Sequence, residues 1–153
     1  MKPSRNALFG YTYQENVILF LIMIMDVERK ITYIEIESDV TNNFDDALIC
    51  FQEKNIACQM KDIENISIDD LIITHESINI KGKDHILSPN QNLLFIKNIS
   101  LPINSSILNL PAYHINNLYI VSLSRDNICD KTEQLYKDNE NRIFIAHKFF
   151  QEC

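Results

Sequence analysis

Two short apolar runs with a polar turn between them constrain the fold of this chain more than any other feature. The first run, Ala47–Phe51, follows the acidic pair Asp45-Asp46, and the second covers residues 56–61. The intervening residues 52–55 are all polar. Apolar runs of this length on either side of a short polar turn are typical of paired strands, so the sequence predicts an antiparallel hairpin.

The second predicted strand places two polar side chains on one face. Side chains alternate between the two faces of a strand, so Gln59 and Lys61 project on the same side as Ala57. The intervening Cys58 and Met60 are apolar and project on the opposite side. An amide and an amine are therefore expected to lie together near the end of this strand.

These side chains suit the chemistry of a metal-dependent nuclease. Hydrolysis of a phosphodiester needs a water activated by Mg²⁺ (or Mn²⁺), which binds oxygen ligands, and compensation of the charge that builds on the phosphate. The expected metal ligands are Asp46, Gln59 and the second acid Glu37, while Lys61 is expected to position the water or to stabilise the phosphate. A structural interpretation stays open, because acidic pairs are common in turns and Gln and Lys are common on half-exposed strands.

Composition is that of one globular domain and excludes several kinds of binding site. The chain has 153 residues, 46% hydrophobic and 23% charged, so one domain over residues 1–153 is expected. Gly10 and Gly82 are the only glycines, which excludes Gly-rich dinucleotide and P-loop motifs. The formal net charge of −7 argues against a chain that binds nucleic acid by itself. Neighbouring subunits or domains would then supply the cationic surface.

Cysteine usage and hydropathy predict a cytoplasmic protein that is not in a membrane. The four cysteines show no CxxC or zinc-like spacing and are expected to be reduced thiols. No secretory signal follows Met1. Residues 17–25 are nine apolar residues in a row, far fewer than the roughly 20 that span a bilayer, and they predict a buried helix.

Residue patterning predicts an α/β domain in which helices flank a mixed β-sheet. Helices are expected over 12–28 and 126–138, with a further helix beginning at 67–71. Besides the hairpin, strands are expected at 30–38, 93–96 and 118–123. Loops are expected over 75–92 and 100–111, and the segment 142–150 is either strand or helix.

Charged residues near Gly82 form a second candidate feature. Lys81 and Lys83 could contact a phosphate backbone, although a solvated loop is the alternative. His85 and Asp84 are expected to be a solvated pair, because none of the histidines has metal-like spacing to another ligand.

Four sequence blocks resemble a known nuclease family. In order, they are Gly10-Tyr-x-Tyr-Gln14 before the apolar helix, Ile34-Glu-Ile-Glu37, Phe44-Asp-Asp46 and Gln59-Met-Lys61. Together they resemble the nuclease domain of bacterial antiphage effectors, such as the effector endonucleases of CBASS systems. In that family a restriction-endonuclease-like PD-(D/E)xK fold carries a D…QxK signature. The resemblance covers residues 9–61.

The resemblance implies a restriction-endonuclease-like mixed β-sheet core and Mg²⁺-dependent cleavage of double-stranded DNA in antiphage defence. In the family, an attached sensor domain and oligomerisation activate the nuclease, so a homo-oligomer is expected. No sensor-like segment follows the hairpin, so a partner protein is expected to activate the chain, or the chain is a fragment or truncated copy of a longer effector. Gln14 either lines the site from the first helix or serves only the helix start.

The sequence also departs from the family pattern. Residues 38–43 separate Glu37 from the acidic pair by more than expected, so Asp39 and Asp45 compete with Asp46 for the metal. A catalytically inactive, nuclease-like interaction module of a defence complex is therefore the alternative function. A small-ligand α/β domain is a third interpretation, and it would need an enclosed apolar pocket elsewhere.

Overall fold

A seven-stranded mixed β-sheet organises the chain. The computed structural model describes residues 12–28, 30–36 and 46–138. Its helices are α1 (Tyr13–Glu28) and α2 (Arg125–Asp138). The strands, in chain order, are β1 (Ile31–Ile36), β2 (Ala47–Phe51), β3 (Asn55–Lys61), β4 (Ile66–Ser67), β5 (Leu71–Ile73), β6 (Ser77–Ile80), β7 (Lys83–Ile86), β8 (Gln91–Ile96), β9 (Ile99–Ser100), β10 (Ser105–Ile107), β11 (Leu110–Ile115) and β12 (Leu118–Ser122).

The seven-stranded sheet, called the large sheet below, combines antiparallel and parallel pairing. Its spatial order is β1-β2-β3-β8-β12-β11-β10. The first three strands are antiparallel neighbours, β3, β8 and β12 run parallel, and the last three are again antiparallel. Between β3 and β8 the chain forms a separate antiparallel sheet, β5-β6-β7, called the small sheet, while β4 and β9 form a short parallel pair. The predicted mixed α/β class is confirmed.

Both helices pack on one face of the large sheet. A capping box begins α1, because the Glu15 N–H donates to Thr12 Oγ1 at 3.1 Å and the Thr12 N–H donates to Glu15 Oε1 at 3.1 Å. The buried Tyr13 then joins α1 to the sheet, since its hydroxyl donates to the Leu123 carbonyl at 2.8 Å. The core on this face includes Val17, Leu21, Ile49, Ile56, Phe95, Val121 and Ile128.

The small sheet covers the opposite face of the large sheet. Its buried residues, Ile78 and Ile80, belong to a second apolar cluster with residues of three large-sheet strands. Those large-sheet residues are Ala57, Leu94, Ile96, Leu118 and Ile120. The large sheet is therefore a middle layer, and β3 is covered on both faces.

The longer predicted elements are confirmed. The two helices match the predicted 12–28 and 126–138, β2 and β3 form the predicted hairpin, and β8 and β12 match the other predicted strands. β1 matches the described part of 30–38, whereas the predicted element 142–150 lies outside the described residues. Neither described helix is long and apolar enough to cross a bilayer.

Predictions for the middle of the chain are confirmed in part or wrong. The segment 67–71 does begin a helix with Ser67 as its cap, but the helix is a single 3₁₀ turn at Ile68–Asp70, and β5 follows at once. The segment 75–92 contains β6 and β7, and 100–111 contains β10 and the start of β11. β6, β7 and β10 are only three or four residues long, and at least half of the residues in each are polar, so their local pattern does not differ from that of a loop.

Asn92, at the start of β8, joins two turns at one end of the large sheet. Its side chain is fully buried. Its Oδ1 accepts from the Ser88 N–H at 2.8 Å, and its Nδ2 donates to the carbonyls of Ser88, Asn90 and Asn117 at 3.1, 3.2 and 3.3 Å. One amide thereby bonds to four backbone groups of the two turns. The Asn117 carbonyl also accepts from the Asn92 N–H at 2.8 Å, and the Ser88 and Asn90 carbonyls also accept from Asn117 Nδ2 at 3.1 and 3.0 Å.

We expect Asn92→Ala to lower the free energy of unfolding by about 2 kcal/mol, because it leaves the Ser88 N–H without its acceptor and removes a fully buried amide that donates to three carbonyls. Urea denaturation measures the loss. Asn98→Ala is the matched control, since it removes one exposed hydrogen bond, from Nδ2 to the Glu64 carbonyl at 3.0 Å, and should cost less than about 1 kcal/mol. Equal losses would show that Asn92 does not hold these turns.

A two-residue turn joins β6 to β7. Lys81 and Gly82 have φ of 50° and 90°, and positive φ at both central positions is the type I′ geometry of tight hairpins. Asn79 supports the turn from β6, because its Oδ1 accepts from the Gly82 N–H at 2.9 Å. The turn that the sequence indicated is therefore present, but it connects strands rather than loops.

Gly82→Ala should cost about 1 kcal/mol of stability although no atom lies within 4 Å of the added Cβ, because the cost comes from positive φ alone. Lys81→Asn is the comparison variant, since asparagine tolerates positive φ, and it should be neutral or stabilising by a few tenths of a kcal/mol. Urea midpoints of both variants measure the difference. A neutral Gly82→Ala would contradict this account of the turn.

Candidate functional site

The hairpin brings Asp46 next to the polar end of β3. Ala47 pairs with Cys58, so the position before β2 lies across from Gln59. The Asp46 carboxylate reaches the neighbouring backbone, where Oδ2 accepts a hydrogen bond from the Met60 N–H at 2.9 Å. The carboxylate oxygen thus accepts a hydrogen bond of the kind that a backbone carbonyl accepts within a sheet, at the point where the pairing of β2 with β3 ends. Asp46 is thereby fixed against β3.

Gln59 carries a buried amide oxygen that has no hydrogen-bond partner among the described residues. Its side chain is 4% exposed, and it pairs with Leu94 on β8. Its apolar neighbours on this face include Ala57 and Leu94. An amide oxygen left unpaired away from water costs about 1–3 kcal/mol. A group retained at such a cost is a candidate ligand for a bound cation.

Lys61 ends β3 half-buried on the same face as Gln59. Partial burial lowers the pKa of its ammonium group, and the positive charge of Lys83 lowers it further. The Asp46 carboxylate acts in the opposite direction on the same pKa. Lys61 therefore lies within electrostatic range of both the acid on the hairpin and a second lysine.

The small sheet contributes two polar side chains to the space above this face. Lys83 pairs with Ile80 and His85 pairs with Ile78, so both share the inner face of β7 with core positions of β6. The expected solvated pair of His85 with Asp84 is wrong, because His85 is 1% exposed and Asp84 lies on the other face of the strand. The alternation of β6 and β7 was the sequence signal for this arrangement.

Of the four remaining candidate residues, three lie outside the described residues and one lies on the opposite side of the large sheet. Glu37, Asp39 and Asp45 lie outside the described residues, so their roles stay predictions. Gln14 is half-buried in the first turn of α1, and α1 packs on the face of the large sheet opposite to Gln59. Its supporting role also stays a prediction.

The oxygen donors that the structure describes suit a hard divalent cation. Within residues 12–28, 30–36 and 46–138, no three His, Cys, Asp or Glu side chains are close enough to hold a metal ion. Mg²⁺ does not require such a group, because it commonly takes one or two carboxylates, waters and substrate phosphates. The Asp46 carboxylate and the unpartnered Gln59 amide oxygen fit that donor set.

Comparison of the chain with protein-family models, with curated proteins and with solved structures finds no match. Any functional conclusion therefore depends on the geometry and chemistry of the chain itself. The hairpin and the small sheet that covers it carry that geometry.

Gln59→Glu and Gln59→Leu test the metal-binding role of this position without an activity assay. Leucine removes the unpaired oxygen at similar volume, so its variant should be neutral or more stable by up to about 2 kcal/mol. Glutamate adds a buried charge, so its variant should lose stability without metal and recover part of the loss in Mg²⁺. Thermal unfolding is measured in EDTA alone and in EDTA with a 10-fold molar excess of Mg²⁺, and the comparison gives both effects. A leucine variant destabilised by more than about 2 kcal/mol would mean that the amide is structural.

Proposed function

We propose that this chain is a metal-dependent endonuclease domain of restriction-endonuclease-like fold that cleaves double-stranded DNA in bacterial antiphage defence. One observation carries the proposal. The hairpin fixes the Asp46 carboxylate against β3 beside Gln59, whose buried amide oxygen lacks a partner among the described residues. The carboxylate belongs to the position directly across the hairpin from Gln59, and a lysine follows Gln59 on the same face of β3.

Each residue then has a distinct role. Asp46 and Gln59 hold the cation, with Glu37 as the further acidic ligand that the sequence predicts. A bound Mg²⁺ or Mn²⁺ would supply Lewis-acid activation of water and of the phosphate. Lys61 orients the attacking water by hydrogen bonding or compensates the charge that develops on the phosphate. Its partial burial strengthens its attraction for an anion, because screening by water is weaker there.

The acidic composition of the chain supports a requirement for a partner. With a net charge of −7, the chain attracts the duplex only where its cations are locally concentrated. An activating protein or further copies of the chain would supply the missing cationic surface. We therefore include an activating partner, a homo-oligomer and a cytoplasmic location in the proposal.

A catalytically inactive interaction module is the second candidate, and one contact favours it. The Asp46 carboxylate already pairs with the Met60 N–H, so it contributes to the sheet whether or not a metal binds. A module that kept this hairpin for its fold alone would show the same bond. Catalysis and folding are therefore separated best by a variant that keeps the oxygen and removes the charge.

Asp46→Asn is that variant, because its amide oxygen can still accept the Met60 N–H. We expect Asp46→Asn and Lys61→Ala each to lower the rate of Mg²⁺-dependent cleavage of duplex DNA by at least about 100-fold. Cleavage of a plasmid and of a labelled duplex is measured with the activated oligomer.

Lys54→Ala is the matched control for these variants. Lys54 lies in the turn at the far end of the same hairpin, with its Nζ 5.4 Å from the ring centroid of Phe51, and its loss should leave the rate within about 2-fold. Urea midpoints show whether Asp46→Asn still folds. Equal cleavage by wild type, Asp46→Asn and Lys61→Ala, or no cleavage by any of them when folded and oligomeric, would favour the interaction module.

A further inference from the structure

A cleft of about 260 Å³ lies at the end of the large sheet where β3 and β8 begin, on the face that the helices cover. Ile56 and Gln91, which pair with one another, line it from the sheet. Ile24 of α1 and Leu108, in the turn between β10 and β11, also line it. Lys61 is at the other end of β3, about 17 Å from Ile56, so the cleft is separate from the candidate metal site.

Two aromatic rings that line the cleft are held in place by contacts of their own. The Tyr119 ring stacks on the His114 ring, with centroids 4.1 Å apart and planes 6° from parallel. Asn104 fixes the His114 backbone, because its Oδ1 accepts from the His114 N–H at 2.7 Å and its Nδ2 donates to the His114 carbonyl at 3.0 Å. Lys54 Nζ lies 5.4 Å from the centroid of the Phe51 ring. Both rings are therefore preorganised for a ligand.

The separation of the two rings and the cleft volume set the size of a ligand. Phe51 is on β2 and Tyr119 is on β12, so their strands are three spacings, or about 14 Å, apart. The fully buried Ile56 lies between them on β3. The volume is below the roughly 300–1,000 Å³ of pockets for drug-sized ligands, so a flat group of one ring or two fused rings suits the cleft.

Three polar side chains of the cleft have no hydrogen-bond or ion-pair partner in the described part of the chain. They are the Gln91 amide, the Tyr119 hydroxyl and the Lys30 ammonium group. None of the described residues that line the cleft is acidic, and Glu53, in the turn between β2 and β3, lines an adjacent groove instead. In a chain of net charge −7, the cleft therefore offers a positive charge to an anion.

Leu108 lines the cleft from a strained backbone conformation. Leu108 and Asn109 have φ of 53° and 60°, a region that leucine rarely adopts. Glycine or asparagine at the first of these positions would relieve the strain. Leucine instead packs against the core on the helix face and adds an apolar wall to the cleft. Strain of this kind clusters at binding sites, where the side chain is needed in that place.

We propose that this cleft binds a small aromatic carboxylate, with its ring between Phe51 and Tyr119 and its carboxylate paired with Lys30. The two rings supply apolar contact in stacked or edge-to-face arrangements, and Gln91 can donate to a polar atom of the ligand. A charge-assisted bond from an ammonium group is stronger than a neutral one, so Lys30 selects the anion over the corresponding amide. The inference does not depend on the proposed nuclease, because the cleft and Gln59 are on different faces of the large sheet.

Indole-3-carboxylate is the probe. Indole-3-carboxamide removes its charge, and cyclohexanecarboxylate removes its flat ring system. Dissociation constants are measured by titration of the full chain labelled with nitrogen-15, from the shifts of its amide signals. We expect saturable binding of indole-3-carboxylate, at least about 10-fold tighter than that of either matched compound. The amide signals of Gln91 and Tyr119 should shift, whereas those of Gln59 and Lys61 should not.

Lys30→Gln tests the proposed partner of the carboxylate, with Lys81→Gln as its matched control. Lys81 is in the turn of the small sheet, which packs on the other face of the large sheet. Lys30→Gln should weaken carboxylate binding about 10-fold and change carboxamide binding less than about 2-fold, while Lys81→Gln should leave both unchanged. Tyr119→Leu, checked for folding by its urea midpoint, should reduce the preference for indole-3-carboxylate over cyclohexanecarboxylate.

Saturable binding that depends on Lys30 would support the cleft whether or not the chain cleaves DNA. Equal affinity for indole-3-carboxylate and its carboxamide would overturn the proposal, as would equal effects of Lys30→Gln and Lys81→Gln. A folded wild type that cleaves DNA but shows no saturation with millimolar probe would overturn the cleft and leave the nuclease intact.

Discussion

The rest of the structure depends on β3, which pairs with a strand on each of its edges and is buried on both of its faces. β2 pairs with it in antiparallel fashion and β8 in parallel, while Cys58 and Met60 face the helices and Ala57 faces the small sheet. A shift of one residue would exchange these faces and break both cores. The directions of Gln59 and Lys61 are therefore fixed by the same apolar contacts that stabilise the domain.

The sequence predicted what strong local patterns determine, and it failed where only tertiary pairing decides. Strand alternation alone placed Gln59 and Lys61 on one face, and the structure agrees. The small sheet was not predicted, because its strands are short and its outer face is polar apart from isolated isoleucines such as Ile72 and Ile86. Lys83 was recognised as a possible phosphate contact only as part of a loop. Its relation to Lys61 depends on how two sheets stack, which no local pattern encodes.

The distribution of charge matters more than its sum in this chain. A net charge of −7 argues against nucleic-acid binding when it is treated as uniform. At the end of β3, however, the Lys61 ammonium is half-buried, and the acids Asp62 and Glu64 that follow it are paired with Lys97. Local potentials near partly buried charges are screened less than those of the open surface. An acidic domain can therefore present one cationic position to a phosphate while repelling the duplex elsewhere.

Asp46 and Gln59 differ in how well they distinguish a nuclease from an inactive module. The bond from the Met60 N–H to Asp46 has a structural value in either case, and a carboxylate has lone pairs for more than one partner. Gln59 is more informative, because its buried amide oxygen gains nothing from the described protein groups. A domain kept for its surface would be at least as stable with leucine there. The unpaired oxygen is the feature that the proposed metal site would account for, and Asp46 lies across the hairpin from it.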